Sequence, residues 1–310
     1  MHVVNTIAPV FLIIALGFAL RRGRFLSAEL VSGMSRLAYW IALPVLLFHK
    51  IAAAPQLSFA TGNALVVVVI GAGACMAVAW LVTVLRKMPG TQSGTFVQAA
   101  FRGNLTFIGL AVIIYAFADH ADAGQAAQTT AVLTLAVMVP LQNVLSVIVL
   151  LAAQHRLSMS SLRRMAKQMV TNPMLLACLA GILWSLTGMT FPSAVDRTLG
   201  VVGQLALPAA LLAIGGTLAG AKLVGRMLPS VTASIIKVAL GPAVGYLAAT
   251  AMGAGPTETA VALVFLACPT AVASYVLADQ LGGDSELASG AIVVSTICSI
   301  ASFSVVLALT

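Results

Sequence analysis

The sequence predicts an all-α membrane protein of ten transmembrane helices, arranged as two inverted five-helix repeats. Three observations carry that prediction. The 310-residue chain is 61% hydrophobic and 8% charged, with a mean hydropathy of +1.08; a soluble domain carries about 25% charge. Apolar runs of about 20 residues, each able to cross a hydrocarbon layer of about 30 Å, recur along the whole chain. The chain also contains a copy of itself. Ala8-Pro9 opens a segment that passes Phe25-Leu26-Ser27 and reaches Ile41-Ala42-Leu43-Pro44-Val45-Leu46-Leu47. Asn172-Pro173 opens one that passes Phe191-Pro192-Ser193 and reaches Leu205-Ala206-Leu207-Pro208. The two prolines stand 35 positions apart in each copy (9 to 44 and 173 to 208). Internal repeats in apolar chains mark carriers that bind substrate where the halves meet.

The runs lie at about 3–20, 34–54, 62–85, 95–118, 126–153, 170–188, 198–219, 228–252, 258–280 and 286–309. Backbone groups in lipid must be bonded within their own segment, so each is a helix. Barrel strands would be alternating segments of about ten residues, and these runs are longer and continuous. The first run reads as a retained span, because Arg21, Arg22 and Arg24 follow it and no small-residue cleavage site is apparent. The second and seventh carry Pro44 and Pro208 at equivalent places. The fourth and ninth correspond through Tyr115-Ala116-Phe117-Ala118-Asp119 and Tyr275-Val276-Leu277-Ala278-Asp279. After the fifth comes the longest polar connection, with Arg156, Arg163, Arg164 and Lys167. The expected division is therefore a first repeat at 1–153, a cytoplasmic linker at 154–169 and a second repeat at 170–310. Five helices per half turn the second half upside down.

A net charge of +8 invites a nucleic-acid reading, but its distribution speaks for a membrane. Loops after odd-numbered runs hold eleven Lys or Arg (21, 22, 24, 86, 87, 156, 163, 164, 167, 222, 226), and loops after even-numbered runs hold only Lys50 and Arg197. The positive-inside rule then puts the odd loops in the cytoplasm and both termini outside. Asp279, Asp284 and Glu286 in the last loop break the pattern, but acidic residues weigh little in the rule. Cys75, Cys178, Cys268 and Cys298 fall singly in apolar runs and read as buried thiols.

Polar residues inside membrane helices are costly and need a reason. Arg102-Gly103-Asn104-Leu105-Thr106-Phe107-Ile108-Gly109 in the fourth run is one cluster, where Gly103 and Gly109 loosen the helix. Cys268-Pro269-Thr270-Ala271-Val272-Ala273-Ser274-Tyr275 in the ninth is the other, where Pro269 removes a backbone donor and breaks the helix. If both unwind there, two half-helix starts meet near the midplane with free N–H groups and positive dipole ends, a site suited to a carboxylate. Asn104, Thr106, Thr270 and Ser274 add donors. In the fifth run Asn143 is favoured over its neighbour Gln142 for the cavity. Ser295, Thr296, Ser299 and Ser302 in the tenth read as packing. Arg102 and Lys237 are the deepest cations; each either snorkels to an interface or compensates a charge. Asp119 and Asp279 sit at helix ends, where solvation accounts for them. No span holds an acidic pair of the kind a sodium/proton antiporter uses, and no metal, phosphate-loop or nucleophile–His–acid pattern occurs.

The fourth-run motif Arg102 to Gly109 resembles that of the auxin efflux carrier family. Pro269 to Ala278, followed by Gly282-Gly283-Asp284 and Ser295-Thr296, resembles that family's ninth- and tenth-helix signature. The resemblance spans all ten runs, and the length is similar to the compact bacterial members. It implies a fold related to bile-acid symporters, with helices 4 and 9 crossing at broken segments and helices 1, 2, 6 and 7 as scaffold. It implies a secondary carrier of small organic anions, either auxin or carboxylates such as malonate or malate, in a bacterial inner membrane. By position, Asn104, Asn143 and Pro269 fall on family site positions. Leu110-Ala111 stands where the family often has proline, and Ala273 where it often has asparagine. No cofactor is expected, with coupling to a proton or to sodium left open. The expected partners are the anion, the bilayer and, by family analogy, a second copy in a homodimer, with no nucleic acid. A sodium-coupled bile-acid-type importer and a membrane sensor or scaffold without flux are the alternatives. A membrane enzyme is disfavoured.

Overall fold

The computed structural model describes residues 2–53, 62–118, 121–155, 158, 163, 167, 170–220 and 226–310, with backbone alone for 2, 3, 121 and 122. The expectations for Asp119, Arg156, Arg164 and Lys222 lie outside the described side chains. Among the described residues every regular element is helical. In order they are α1 (His2–Arg22), α2 (Ala28–Leu37), α3 (Leu43–Ala52), α4 (Gly62–Leu85), α5 (Gly90–Phe101), α6 (Leu110–Ala116) and α7 (Ala121–Ala153). Then follow α8 (Pro173–Leu186), α9 (Ser193–Gln204), α10 (Ala206–Gly220), α11 (Met227–Ile235), α12 (Gly241–Met252), α13 (Pro256–Ala267), α14 (Ala273–Gln280) and α15 (Ser285–Leu309).

Seven helical stretches among the described residues are long and apolar enough to cross a membrane: Val4–Arg22, Ala28–Ala52, Gly62–Leu85, Ala123–Ala153, Ser193–Gly220, Met227–Met252 and Ser285–Leu309. Leu105–Ala116, Pro173–Leu186 and Pro256–Ala267 are shorter apolar helices. Two of these three belong to the fourth and ninth runs, which the structure interrupts.

Local chemistry sets the helix boundaries. Asn172 caps α8, its Oδ1 accepting from the amides of Met174 (2.9 Å) and Leu175 (3.2 Å), while Pro173 fills the first position, where no amide is needed. Asp284 caps α15 by accepting from the Leu287 amide at 3.0 Å. Glu258 reaches back to the Gly255 amide at 2.9 Å and so closes the start of α13. Turns of π-helix at Ala38–Ala42 and Ile236–Leu240 stand just before Pro44 and Pro242. A proline ring clashes with the carbonyl four residues back, and a widened turn moves that carbonyl aside without breaking the span.

The helices sort into two packed groups. In one, α1 runs along α10 and α3 along α8, with α2 and α9 joining them. Glycine makes the first contact close: a Cβ on Gly215 would overlap the Ile14 carbonyl oxygen. In the other, α4, α5, α7 and α11 to α15 pack on one another. At one end of the second group Arg226 Nε lies 3.2 Å from Asp284 Oδ2, and the Asp284 amide donates to Thr95 Oγ1 at 2.9 Å. Asp284, one of the three acidic residues that broke the charge asymmetry, therefore pairs with Arg226 and joins the starts of α5, α11 and α15.

Candidate functional site

Two interrupted spans cross at the heart of the second group. The fourth apolar run folds as α5, a non-helical stretch at 102–104, a π-turn at Leu105–Gly109, and α6. The ninth apolar run folds as α13, a non-helical stretch at 268–272, and α14. The two stretches pair as an antiparallel bridge between Gly103 and Thr270. The Asn104 amide donates to the Pro269 carbonyl at 2.8 Å, and the Ala271 amide donates to the Arg102 carbonyl at 3.0 Å. Each break thus satisfies backbone groups that the other left unpaired, as a buried chain requires.

Side chains complete the accounting. The Thr270 hydroxyl donates to the Ala99 carbonyl at 2.8 Å, capping the end of α5. Lys237 Nζ donates to the Leu266 carbonyl at 2.7 Å, capping the end of α13 with a positive charge on its negative dipole end. Lys237 is 2% exposed, so it does not snorkel. Its hydrogen-bond partner is thus a backbone carbonyl. Ser295 Oγ accepts from the Thr270 amide at 2.9 Å, so this serine braces the crossing in addition to bonding back to Ile292.

The two glycines do more than loosen a helix. A Cβ on Gly103 would stand 3.2 Å from Lys237 Cε. A Cβ on Gly109 would stand 2.7 Å from Cys268 Sγ and 2.8 Å from Phe265 Cδ1. Their missing side chains let the lysine and the ninth span come close.

A cavity of about 1230 Å³ lies between the two helix groups. Its mouth is formed by the ends of α1 (Arg21), α10 (Gly220) and α14 (Gln280) and the starts of α2, α8 and α15. Its walls are largely apolar, with Val31, Tyr39, Trp40, Phe107 and Ile214. Its inner end reaches the crossing at Arg102, Asn143, Val272 and Ala273. Arg102 Nη2 donates to Asn143 Oδ1 at 2.6 Å. Arg102 is 6% exposed, and its Nη1 has no partner. Among the described residues no carboxylate pairs with it. Val272 and Ala273 begin α14, whose first amides have no intrahelical acceptor.

The structure brings Arg102, Gly103, Asn104, Pro269 and Thr270 together in the crossing and sets Asn143 beside Arg102. Asn143 and Arg102 are in the cavity wall, whereas Asn104, Thr106, Pro269, Thr270 and Ser274 stand behind it, all buried. Asn104 Nδ2 and Ser274 Oγ are without partners there. Gln98, fully buried with both amide atoms unpartnered, belongs to the same span and was missed. Its signal was its position one helical turn before Arg102.

A many-span helical protein with two interrupted spans crossing at the floor of a cavity has the form of a membrane transport protein. Residues 2–307 match the family model described as "Membrane transport protein". The chain belongs to that family, the auxin efflux carriers, and is an integral membrane transporter, not an enzyme. It is 31% identical over 139 residues to a protein of Rhizobium meliloti (strain 1021) named "Putative malonate transporter", a match covering 44% of this chain and 43% of that protein. The chain thus spans less than half the length of the curated relative it matches.

Proposed function

We propose that this transporter is a secondary carrier of a small organic anion, working by alternating access in a bacterial inner membrane. One observation carries the reading: Arg102, a buried cation without a carboxylate partner, stands at the inner end of a cavity. A guanidinium in that setting favours a carboxylate, which its fork of N–H groups matches. The positive ends at Val272 and Ala273 act in the same sense. The relative named for malonate transport supports the same substrate class.

On this reading the spans number ten, in two inverted repeats at 1–153 and 170–310. The group containing α1 to α3 and α8 to α10 is the scaffold, and the group containing the crossing moves against it. The cavity mouth lies on the face where Arg21 and Arg226 end or begin spans, so the conformation is open to the cytoplasm and both termini face out. Asn104, Thr106 and Ser274 reach substrate only when the crossing shifts, while Thr270 serves the site by bracing the crossing.

The test is ligand-dependent thermal stabilisation of the purified protein by mono- and dicarboxylates and indole acids, with and without sodium. A ligand that binds the native state raises its apparent stability. A carboxylate should stabilise wild type and fail to stabilise Arg102→Gln. Stabilisation by cations or neutral solutes alone would overturn the substrate class, and an equal carboxylate response in Arg102→Gln would overturn the site.

A further inference from the structure

We propose that Asn143 acts as a positioning residue, holding one arm of the Arg102 guanidinium so that the other arm is kept free for a single carboxylate. The inference rests on the anion-carrier reading above and assigns a division of labour within that site.

The backbone of Arg102 is fixed on both sides. Its amide donates to the Gln98 carbonyl at 3.0 Å, and its own carbonyl accepts from Ala271. It is the first residue beyond α5 and is extended (φ −79, ψ 103), so its side chain leaves the helix. That side chain keeps several rotatable bonds, and a long flexible cation is poorly defined unless something holds its head. The 2.6 Å bond from Nη2 to Asn143 Oδ1 does so. A charged donor makes such a bond stronger than one between neutral groups. Nη1, on the other arm, is without a partner and closed off from the cavity in this conformation, so a carboxylate reaches it once the crossing shifts. An unmade guanidinium hydrogen bond is costly in a buried place, and an arriving carboxylate oxygen removes that cost.

The identity of residue 143 matters here. An amide oxygen orients the guanidinium and leaves its charge intact. A carboxylate at the same place would orient it equally well and cancel the charge, occupying the site as a tethered substitute for the substrate. Gln142, the adjacent amide, is not in the cavity wall and cannot share the task.

The experiment uses the full-length protein in detergent and in liposomes, with malonate and indole-3-acetate as probes. The readouts are thermal stabilisation and the initial rate of radiolabelled flux. The variants are Asn143→Asp, Asn143→Ala, Arg102→Gln and the double Arg102→Gln/Asn143→Ala. Asn143→Asp, nearly isosteric, is expected to keep its ligand-free melting temperature and to weaken probe binding roughly tenfold or more. Asn143→Ala is expected to raise KM about threefold to tenfold with maximal rate preserved, since the charge survives but its aim does not. In the Arg102→Gln background Asn143→Ala should add nothing, because a residue that acts through another is silent once that other is gone.

Wild-type affinity in Asn143→Asp would overturn the inference, and so would additive losses in the double variant. In both cases a loss in Arg102→Gln would leave the anion-carrier reading standing. Absence of any carboxylate response in the wild type would overturn both together.

Discussion

Thr270→Val separates bracing the crossing from binding the substrate. Threonine and valine have nearly the same shape, so the change leaves no void in a site where Thr270 is 1% exposed. What disappears is the 2.8 Å bond to the Ala99 carbonyl. In a continuous helix that carbonyl would accept from residue 103, but Gly103 has left the helix for its bridge with Thr270. The substitution therefore leaves an acceptor unpaired and buried, which costs about 1–3 kcal/mol. The Thr270 amide keeps its bond to Ser295, so the bridge itself survives. For a chain of this length that is a fall of roughly 2–5 °C in apparent melting temperature. A thiol-reactive dye reads the transition, because Cys75, Cys178 and Cys268 are buried until the helices separate. Apparent affinity for a transported carboxylate, measured alongside, should stay within about twofold, since no contact to the cavity is lost. A melting temperature equal to wild type combined with a tenfold loss of affinity would refute this reasoning. It would return Thr270 to the role of direct ligand that its position in the sequence motif indicated.

Further expectations concern neighbouring groups. Gly109→Ala forces a methyl against Cys268 Sγ and the Phe265 ring, where 2.7 Å and 2.8 Å are available; the expected cost is about 1–3 kcal/mol, and an unshifted melting temperature would sink the close-packing account. Lys237→Gln keeps a donor for the Leu266 carbonyl whereas Lys237→Met does not, so the methionine variant should be the less stable by about 1–2 kcal/mol in the same assay. Asn104→Ala should lower transport while leaving the protein folded; unchanged flux kinetics would remove Asn104 from the substrate site. His49 and Asp196 pair at 2.8 Å in a partly exposed position, so His49→Ala should cost less than about 1 kcal/mol in thermal unfolding.

The degree to which the sequence disclosed this architecture differs from residue to residue. The ninth-span break was legible because Pro269 cannot continue a helix. The fourth-span break had no proline and carried only Gly103 and Gly109 as signals. What holds it open is tertiary: the amide of Asn104 and the carbonyl of Arg102 find acceptor and donor on Pro269 and Ala271, far away in sequence. The π-turns had no readable signature, since a proline shows that a turn must change but not how. Asn143 lines the cavity and Gln142 does not, because adjacent helix positions point in different directions. The partner of Lys237 lay beyond reach, because nothing in residues 228–252 announces that the carbonyl of Leu266 will be left free. Ser295 was read as packing, and its acceptance of the Thr270 amide depends on the same break.

The crossing leaves its polar groups unequally satisfied, and the inequality bears on how the molecule works. The ends of α5 and α13, where dipoles are negative, are closed by Thr270 and Lys237. The unpartnered atoms nearby are Arg102 Nη1, Asn104 Nδ2, Ser274 Oγ and, one helical turn before Arg102, both amide atoms of Gln98. The first two are pure donors and the third is a hydroxyl that can donate. Buried orphans in a native protein ask for an explanation, and each costs about 1–3 kcal/mol while it lasts. Donors and a positive charge outnumber the free acceptors here, which are Gln98 Oε1 and the Ser274 hydroxyl. On the proposed anion-carrier reading, an anion that reaches Arg102 removes one such cost. If the crossing then moves relative to the scaffold, Asn104 and Ser274 gain a partner in the state that follows, and the substrate has supplied the differential contact that a conformational change requires.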